Sequence, residues 1–160
     1  MPKTIAKKDI ILPKREKDSH KGQHGRLLII GGSESLVGAP ILAAMAAFRT
    51  GVDIVEVAAP KEVAYAINSY NASIITHKLP GKAFSKSHIK KILDLCKNAT
   101  AVLLGNGLGR EQAQMTFVRE LLKRLDKPLV IDADALHATI LKDINPNQCI
   151  LTPHHKELQT

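Results

Sequence analysis

Four small groups of residues carry types and spacings suited to holding a phosphorylated ligand. Gly31-Gly32-Ser33 and Gly105-Asn106-Gly107-Leu108-Gly109 each follow an apolar run, where glycine lets the main chain approach a ligand and helix-opening amides can meet negative charge. Asp132 and Asp134, two apart, suit substrate hydroxyls or magnesium, and Asp132 equally suits capping a following helix. Asp134, one step inside that helix start, also fits as an electrostatic complement to the helix dipole. His154 and Glu157 stand three apart at a loop-to-helix junction. With no further ligands at metal spacing, they fit hydrogen bonding and a magnesium-bound water better than zinc. A tight strand-to-helix turn needs glycine for packing alone, so the glycine clusters read equally as ligand cradle and as packing. Their spacing does not fit the dinucleotide fingerprint, and no Gly-Lys-Ser/Thr follows for a P-loop. His20, His24, His77, His88, His137 and His155 lack such a setting and read as structural or surface residues.

The elements that must position these groups alternate along the chain. Arg26 to Gly31 is a short apolar strand, and Gly38-Ala39-Pro40 opens an alanine-rich helix that closes at Arg49-Thr50-Gly51, with proline early and glycine just past the end. Val52 to Ala59 reads as a strand, Lys61 to Asn68 as a short helix and Ser73 to Thr76 as a weak strand. Ser85 to Lys97 reads as a helix with Ile89, Ile92, Leu93 and Cys96 on one face. There follow a strand at Ala101 to Leu104, a helix at Glu111 to Leu125, a strand at Pro128 to Ile131, a helix at Ala133 to Leu141 and a strand at Cys149 to Thr152. The best strands are unbroken apolar runs, which predicts a parallel sheet with helices on both faces. Ligands of such sheets bind beyond the carboxyl ends of the strands, where the glycine clusters, the aspartates, His154 and Glu157 all fall.

Composition bounds the alternatives. A chain of 160 residues, 44% hydrophobic and 24% charged, fits one domain able to bury roughly 70% of its unfolded surface. No run approaches the roughly 18 apolar residues of a spanning helix, and the lysine-rich start never reaches the apolar stretch of an export signal. A cytoplasmic protein is expected, with Cys96 and Cys149 reduced. The net charge of +8 is concentrated early: residues 1 to 26 hold eight Lys/Arg against three Asp/Glu, which reads as a solvated basic arm over 1–25 ahead of one α/β domain over 26–160. Lys82, Lys86 and Lys90 recur every four residues along one helix face, read as solvated in preference to a phosphate-contacting stripe. With five aromatic residues in all, nucleic-acid binding is the least favoured reading.

Taken together and in order, five motifs resemble the ADP/ATP-dependent NAD(P)H-hydrate dehydratases, a family of the ribokinase-like superfamily. They are Lys21-Gly22-Gln23-His24-Gly25, Gly31-Gly32-Ser33 with Gly38-Ala39-Pro40, Gly105 to Gly109, Ile131-Asp132-Ala133-Asp134-Ala135-Leu136, and Leu151-Thr152-Pro153-His154 with Glu157. The resemblance implies a three-layer ribokinase-like fold. It also implies a lyase activity in which ADP or ATP, with magnesium, phosphorylates the added hydroxyl of hydrated NADH or NADPH and loss of phosphate restores the cofactor. It implies that Ala39, Gly107 and His154 contact the hydrated dinucleotide, and that the loop from Asp132 and the segment at Glu157 border the meeting place of substrate, phosphates and magnesium. Gly32, Ser33, Gly38, Leu108, Gly109, Asp132 and Asp134 complete the expected binding set, with Glu157 as an indirect magnesium contact. Leu36, Asn106 and Lys156 depart from the family's aromatic, proline and glycine. The family's later Gly-x-Gly-Asp segment, which carries the catalytic base and the amides that stabilise the transferring phosphoryl group, has no counterpart in these 160 residues. The expectation is a fold truncated after about six strands, with no catalytic residue of its own and inactive alone. It would associate as a homo-oligomer or with a complementary C-terminal half. The alternative is a non-catalytic dinucleotide-binding or assembly protein of the same descent; a sugar or vitamin kinase of the superfamily is less favoured.

Overall fold

Apolar runs can be buried on both faces of a sheet, and here six of them pair in parallel. They are β1 (Arg26–Ile30), β2 (Ile54–Pro60), β3 (Ile75–Leu79), β4 (Ala101–Leu104), β5 (Leu129–Ile131) and β6 (Cys149–Leu151), in the spatial order β3-β2-β1-β4-β5-β6. The computed structural model describes residues 6, 9, 15–139, 142 and 144–159. Among them are four α-helices, α1 (Gly38–Thr50), α2 (Lys61–Tyr70), α3 (Ile89–Cys96) and α4 (Gln112–Leu122).

Two cores flank the sheet. On one side Ile29, Val55, Val57 and Ala59 meet Ile41, Ala44 and Ala47 of α1 and Val63, Ala64 and Ile67 of α2. On the other, Leu28, Ile30, Ala58, Val102, Leu104 and Ile131 meet Phe84, Ile92 of α3, and Phe117 and Leu121 of α4, with the Phe84 and Phe117 rings stacked at 5.2 Å. Burial among these side chains pushes the Cys96 thiol up to about 11, and both cysteines are free. The sandwich of helices around a parallel sheet agrees with the fold class read from the apolar runs.

Several boundaries move, each for a local reason. The third strand starts later than Ser73 because Ser73 N–H donates to Asn71 Oδ1 and Ile74 N–H to Asn71 O, closing a turn there. The second starts at Ile54 because Gly51, at φ +98°, and Val52 send their amides back to the end of α1. Ser85 and His88 form a reciprocal capping box over a 3-10 turn, Lys86–His88, before α3 begins. Lys82, Lys86 and Lys90 therefore lie on a loop, a 3-10 turn and an α-helix, so the expected single lysine face is corrected. The expected helix from Ala133 is also corrected: it is a 3-10 run, Ala133–Ala138, after which Thr139 is extended, and Ile140 and Leu141 lie outside the described residues.

The segment before β1 is tied to the domain from Arg15 onward. Asp53 accepts the amides of Gly22 and His24 and the Arg15 guanidinium, at 2.9 to 3.0 Å. The His24 amide first, with those of Gly22 and the nearby Arg15 charge, holds the Asp53 carboxyl below the usual carboxylate range against a smaller opposing effect of burial. Residues 1–5, 7, 8 and 10–14 of the expected basic arm lie outside the described residues.

Candidate functional site

The strand order makes the junction of β1 and β4 a topological switch point: the chain runs outward from β1 through β2 to β3, then returns to β4 and runs outward the other way. The loops leaving β1 and β4 diverge there, which opens a crevice beyond the strands' carboxyl ends. Both glycine clusters sit on these two loops, joined by Gly32 N–H donating to Asn106 O at 2.8 Å.

At three glycines the space a side chain would need is filled by protein. A Cβ on Gly31 would lie 2.4 Å from Asn106 O, one on Gly105 1.9 Å from Asp132 O, and one on Gly107 2.8 Å from the Leu36 Cβ. Gly105 and Gly107 also have φ of +123° and +64°, a region that side chains rarely adopt. Packing of loop on loop therefore accounts for these glycines, a question the sequence leaves open. Gly38 differs: none of the described residues lies within 4 Å of its missing side chain. It begins α1, whose Val37 cap offers no side-chain bond and whose first turn holds no acid, so the helix presents uncompensated positive charge at the crevice. Ala39, next along, is the neighbour of Gly107, 3.2 Å from the position of its missing Cβ.

Both aspartates are engaged within the protein. Asp132 has the extended backbone of a cap residue but makes no side-chain cap bond, which corrects the capping alternative. Its two carboxylate oxygens instead accept Asn106 Nδ2 and Thr152 Oγ1, each at 2.7 Å, and so tie together the loops after β4, β5 and β6. Asp134 is buried and accepts Gly109 N–H at 2.9 Å and Arg110 Nε at 2.7 Å, pinning the far end of the β4 loop. These carboxylates act as struts. Asn106, Thr152 and Arg110 are the partners that sequence reasoning assigned no role; the pairing becomes visible only when three strand ends are side by side.

His154 and Glu157 form a compact turn. Glu157 Oε2 accepts His154 N–H at 2.9 Å, and His154 Nδ1 accepts the amides of Lys156 and Glu157 at 3.2 and 3.3 Å. With Nδ1 used as an acceptor, the neutral ring carries its proton on Nε2. The His154 side chain is 64% exposed and that of Glu157 only 6%. Glu157 shares a cavity of about 290 Å3 with Leu136, His137 and Thr139. His137, read as structural or surface, has a buried Nε2 with no hydrogen-bond partner among the described residues. An open cavity of about 560 Å3 lies at the opposite, amino end of the strands, lined by Lys21, Met45, Phe48, Ile54 and Ile75 among others, away from the glycine loops. Among the described residues there is no group of three or more His, Cys, Asp or Glu placed to hold a metal ion, and no helix long and apolar enough to cross a membrane.

Comparison with known proteins places this geometry. Residues 27–160 match the carbohydrate-kinase family described as NAD(P)H-hydrate dehydratase. A bifunctional NAD(P)H-hydrate repair enzyme of Methanothermobacter thermautotrophicus is 42% identical over 153 residues, covering 93% of this chain and 30% of that protein. The ADP/ATP-dependent NAD(P)H-hydrate dehydratase of Bacillus subtilis, solved after co-crystallisation with ATP and Mg2+, superposes with a TM-score of 0.70 at 30% identity, over 92% of this chain and 50% of that one. A ribokinase-like superfamily protein of Enterococcus faecalis, 21% identical, shares the fold with a TM-score of 0.78 over 92% of this chain and 51% of its own. The chain thus spans about a third of the length of its curated relatives and about half that of the solved ones. Both the ordered motifs and the fold that carries them make this chain a member of the NAD(P)H-hydrate dehydratase family.

Proposed function

We propose that this chain forms the dinucleotide-binding half of a nucleotide-dependent NAD(P)H-hydrate dehydratase, taking hydrated NADH or NADPH as its ligand and leaving phosphoryl transfer to a complementary C-terminal half. The observation that carries this reading is the meeting of Ala39, at the uncapped start of α1, with Gly107 at the switch point of the sheet. A pyrophosphate there receives the free amides of Gly38 and Ala39, between the loop of Gly32 and Ser33 and that of Leu108 and Gly109. His154 Nε2–H, which faces Glu157 Oε1 at 3.4 Å in the chain alone, turns to donate to the nicotinamide end. Asp132 and Asp134 act at one remove, by fixing the loops that shape the crevice.

ADP or ATP with magnesium supplies the phosphoryl group in such a reaction and turns the added hydroxyl into a leaving phosphate. The described residues do not fit a magnesium site: no ligand cluster is present, and each oxygen of Asp132 and of Asp134 already accepts a hydrogen bond. Nucleotide and metal are therefore assigned to the complementary half, with Glu157 contributing at most through a metal-bound water, and the chain alone is expected to be inactive. A non-catalytic assembly role is the second reading, favoured by the engagement of Gly31, Gly105, Gly107 and both aspartates in intraprotein contacts that need no ligand. Exposed Leu42, Tyr65 and Tyr70 on α1 and α2 support a homo-oligomer in either case, and a cytoplasmic location and no nucleic-acid partner complete the proposal.

Calorimetry with hydrated NADH tests the reading. Ala39→Asp places a carboxylate at the end of α1 meant for phosphate and should abolish binding while the protein stays folded. His154→Ala should weaken binding by about 1 to 2 kcal/mol, one hydrogen bond. Undetectable binding to the unmutated chain, or equal affinity in both variants, would favour the assembly role.

A further inference from the structure

The cavity of about 560 Å3 at the amino end of the strands has no part in the reaction proposed above. Its apolar walls come from three elements: Met45 and Phe48 from the second half of α1, Ile54 from the start of β2, and Ile75 from the start of β3. The polar groups around them are mostly committed to holding the walls. Asn71 Oδ1 accepts Ser73 N–H at 2.8 Å and Asn71 Nδ2 donates to Met45 Sδ at 3.1 Å, which fixes the turn before β3 against α1. Gly22 is seated on the wall, the position of its missing Cβ lying 3.7 Å from Ile54 Cδ1, and so the neighbouring Lys21 is brought to the cavity. Lys21 and Asp53 are the charged residues of the lining, and they differ. The Asp53 carboxylate meets the Arg15 guanidinium at 2.9 Å and the amides of Gly22 and His24, whereas Lys21 makes no ion pair or hydrogen bond among the described residues. The volume lies within the range of small-molecule sites, which combine an apolar body with a few polar groups that orient the ligand.

We propose that this cavity is a second ligand site, separate from the crevice, for a small molecule with an apolar body and one anionic group. The body lies against Met45, Phe48, Ile54 and Ile75, and the anion meets the Lys21 ammonium. Covering Ile75, 46% exposed in the chain alone, supplies the apolar part of the affinity. A cationic ligand fits less well, because the Asp53 carboxylate is already met by three donors. An anion without an apolar body would leave the walls in water. Lys21 belongs to the Lys21-Gly22-Gln23-His24-Gly25 motif, to which the crevice gives no task; here its side chain has one. The inference does not depend on the dinucleotide reading. Ala39 at the crevice and Phe48 at the cavity stand at opposite ends of α1, about 14 Å apart along the helix axis.

The test is a titration of the chain with 2-naphthoate and with its neutral analogue 2-naphthamide, followed by amide chemical shifts. Naphthoate should give saturable shifts centred on Met45, Ile54, Ser73 and Ile75, and should bind more tightly than the amide. Lys21→Glu should weaken naphthoate about tenfold, the scale of losing one ion pair and gaining a like charge, and leave naphthamide within about twofold. Lys90→Glu, the same charge change at an exposed position on α3, should leave both affinities unchanged, which separates local pairing from the net charge of the chain. Lys21 is exposed, so circular dichroism of Lys21→Glu should match the parent. Ala39→Asp should remove binding of the dinucleotide hydrate and leave naphthoate binding as it was, so that either site can fail alone. An absence of saturable shifts overturns the proposal, as does equal weakening by Lys21→Glu and Lys90→Glu. Shifts centred on the glycine loops, or loss of naphthoate binding in Ala39→Asp, would place the probe in the crevice and overturn it too.

Discussion

The β1–β3 and β4–β6 halves of the sheet share one architecture and close differently. In the first, α1 and α2 pack apolar side chains on one face while Phe84 and α3 close the other, and the glycine after β1 opens the way to an uncapped helix end. In the second, α4 covers one face, exposure on the other rises from half-buried Leu103 and Val130 to exposed Ile150, and the loops are held by polar struts, Asp132 to Asn106 and Thr152, Asp134 to Gly109 and Arg110. The helix that the pattern calls for after β5 shrinks to a 3-10 run. The difference is one of means: the first half is closed by apolar packing of helices on the sheet, and the strand ends of the second are fixed by side-chain hydrogen bonds.

Substitutions can break or sharpen this contrast. The largest effect is expected at the seam. Gly105→Ala forces a methyl group to within 1.9 Å of Asp132 O at a φ of +123°, and should cost about 4 kcal/mol or prevent folding, whereas Gly38→Ala, with open space around it, should change stability by less than about 0.5 kcal/mol. Urea denaturation of the two variants checks this, and similar costs would mean that the crevice loops are not packed as described. Next come two apolar residues on one face of the sheet, Ile29 under the helices and Ile150 exposed on β6. Ile29→Ala, fully buried, should lose about 2 to 5 kcal/mol. Ile150→Ala should stay within about 0.5 kcal/mol in the chain alone, and a large loss there would show that the face is already covered.

The smallest effect concerns the tie of the N-terminal segment to the first half. The Asp53 carboxyl is held below its ordinary range in the fold, so its contribution is fully present above the unfolded value and is lost as pH falls through the folded one. The protection of the Gly22 and His24 amides, relative to the intrinsic exchange rate at each pH, should therefore fall in acid, and Asp53→Asn should reproduce that loss of protection at neutral pH. Protection that is indifferent to both would place the tie elsewhere.

Much of this was legible in the sequence because unbroken apolar runs are what a sheet buried on both faces requires: Arg26–Ile30, Ala101–Leu104 and Leu129–Ile131 fall close to where the runs lie. The helix expected from Ala133 was not, because its outcome is decided by long-range ties. Asp134 is drawn to Gly109 and Arg110 across 25 and 24 residues, and Ala133 takes a φ of +48° to allow it. The glycine clusters could be located but not interpreted, since a sequence does not say whether ligand or neighbouring backbone fills the space beside Gly31 or Gly105. His137 carried no signal at all; its place in a cavity wall beside Glu157 depends on the turn after β6 folding back.

The most direct test follows ligand and product in one experiment: hydrated NADH titrated into the purified chain with ADP or ATP and magnesium present, with heat and NADH absorbance both recorded. The account predicts saturable binding that Ala39→Asp removes, and no recovery of NADH until the complementary half is added. Turnover by the chain alone would contradict it, as would an absence of binding with the fold intact.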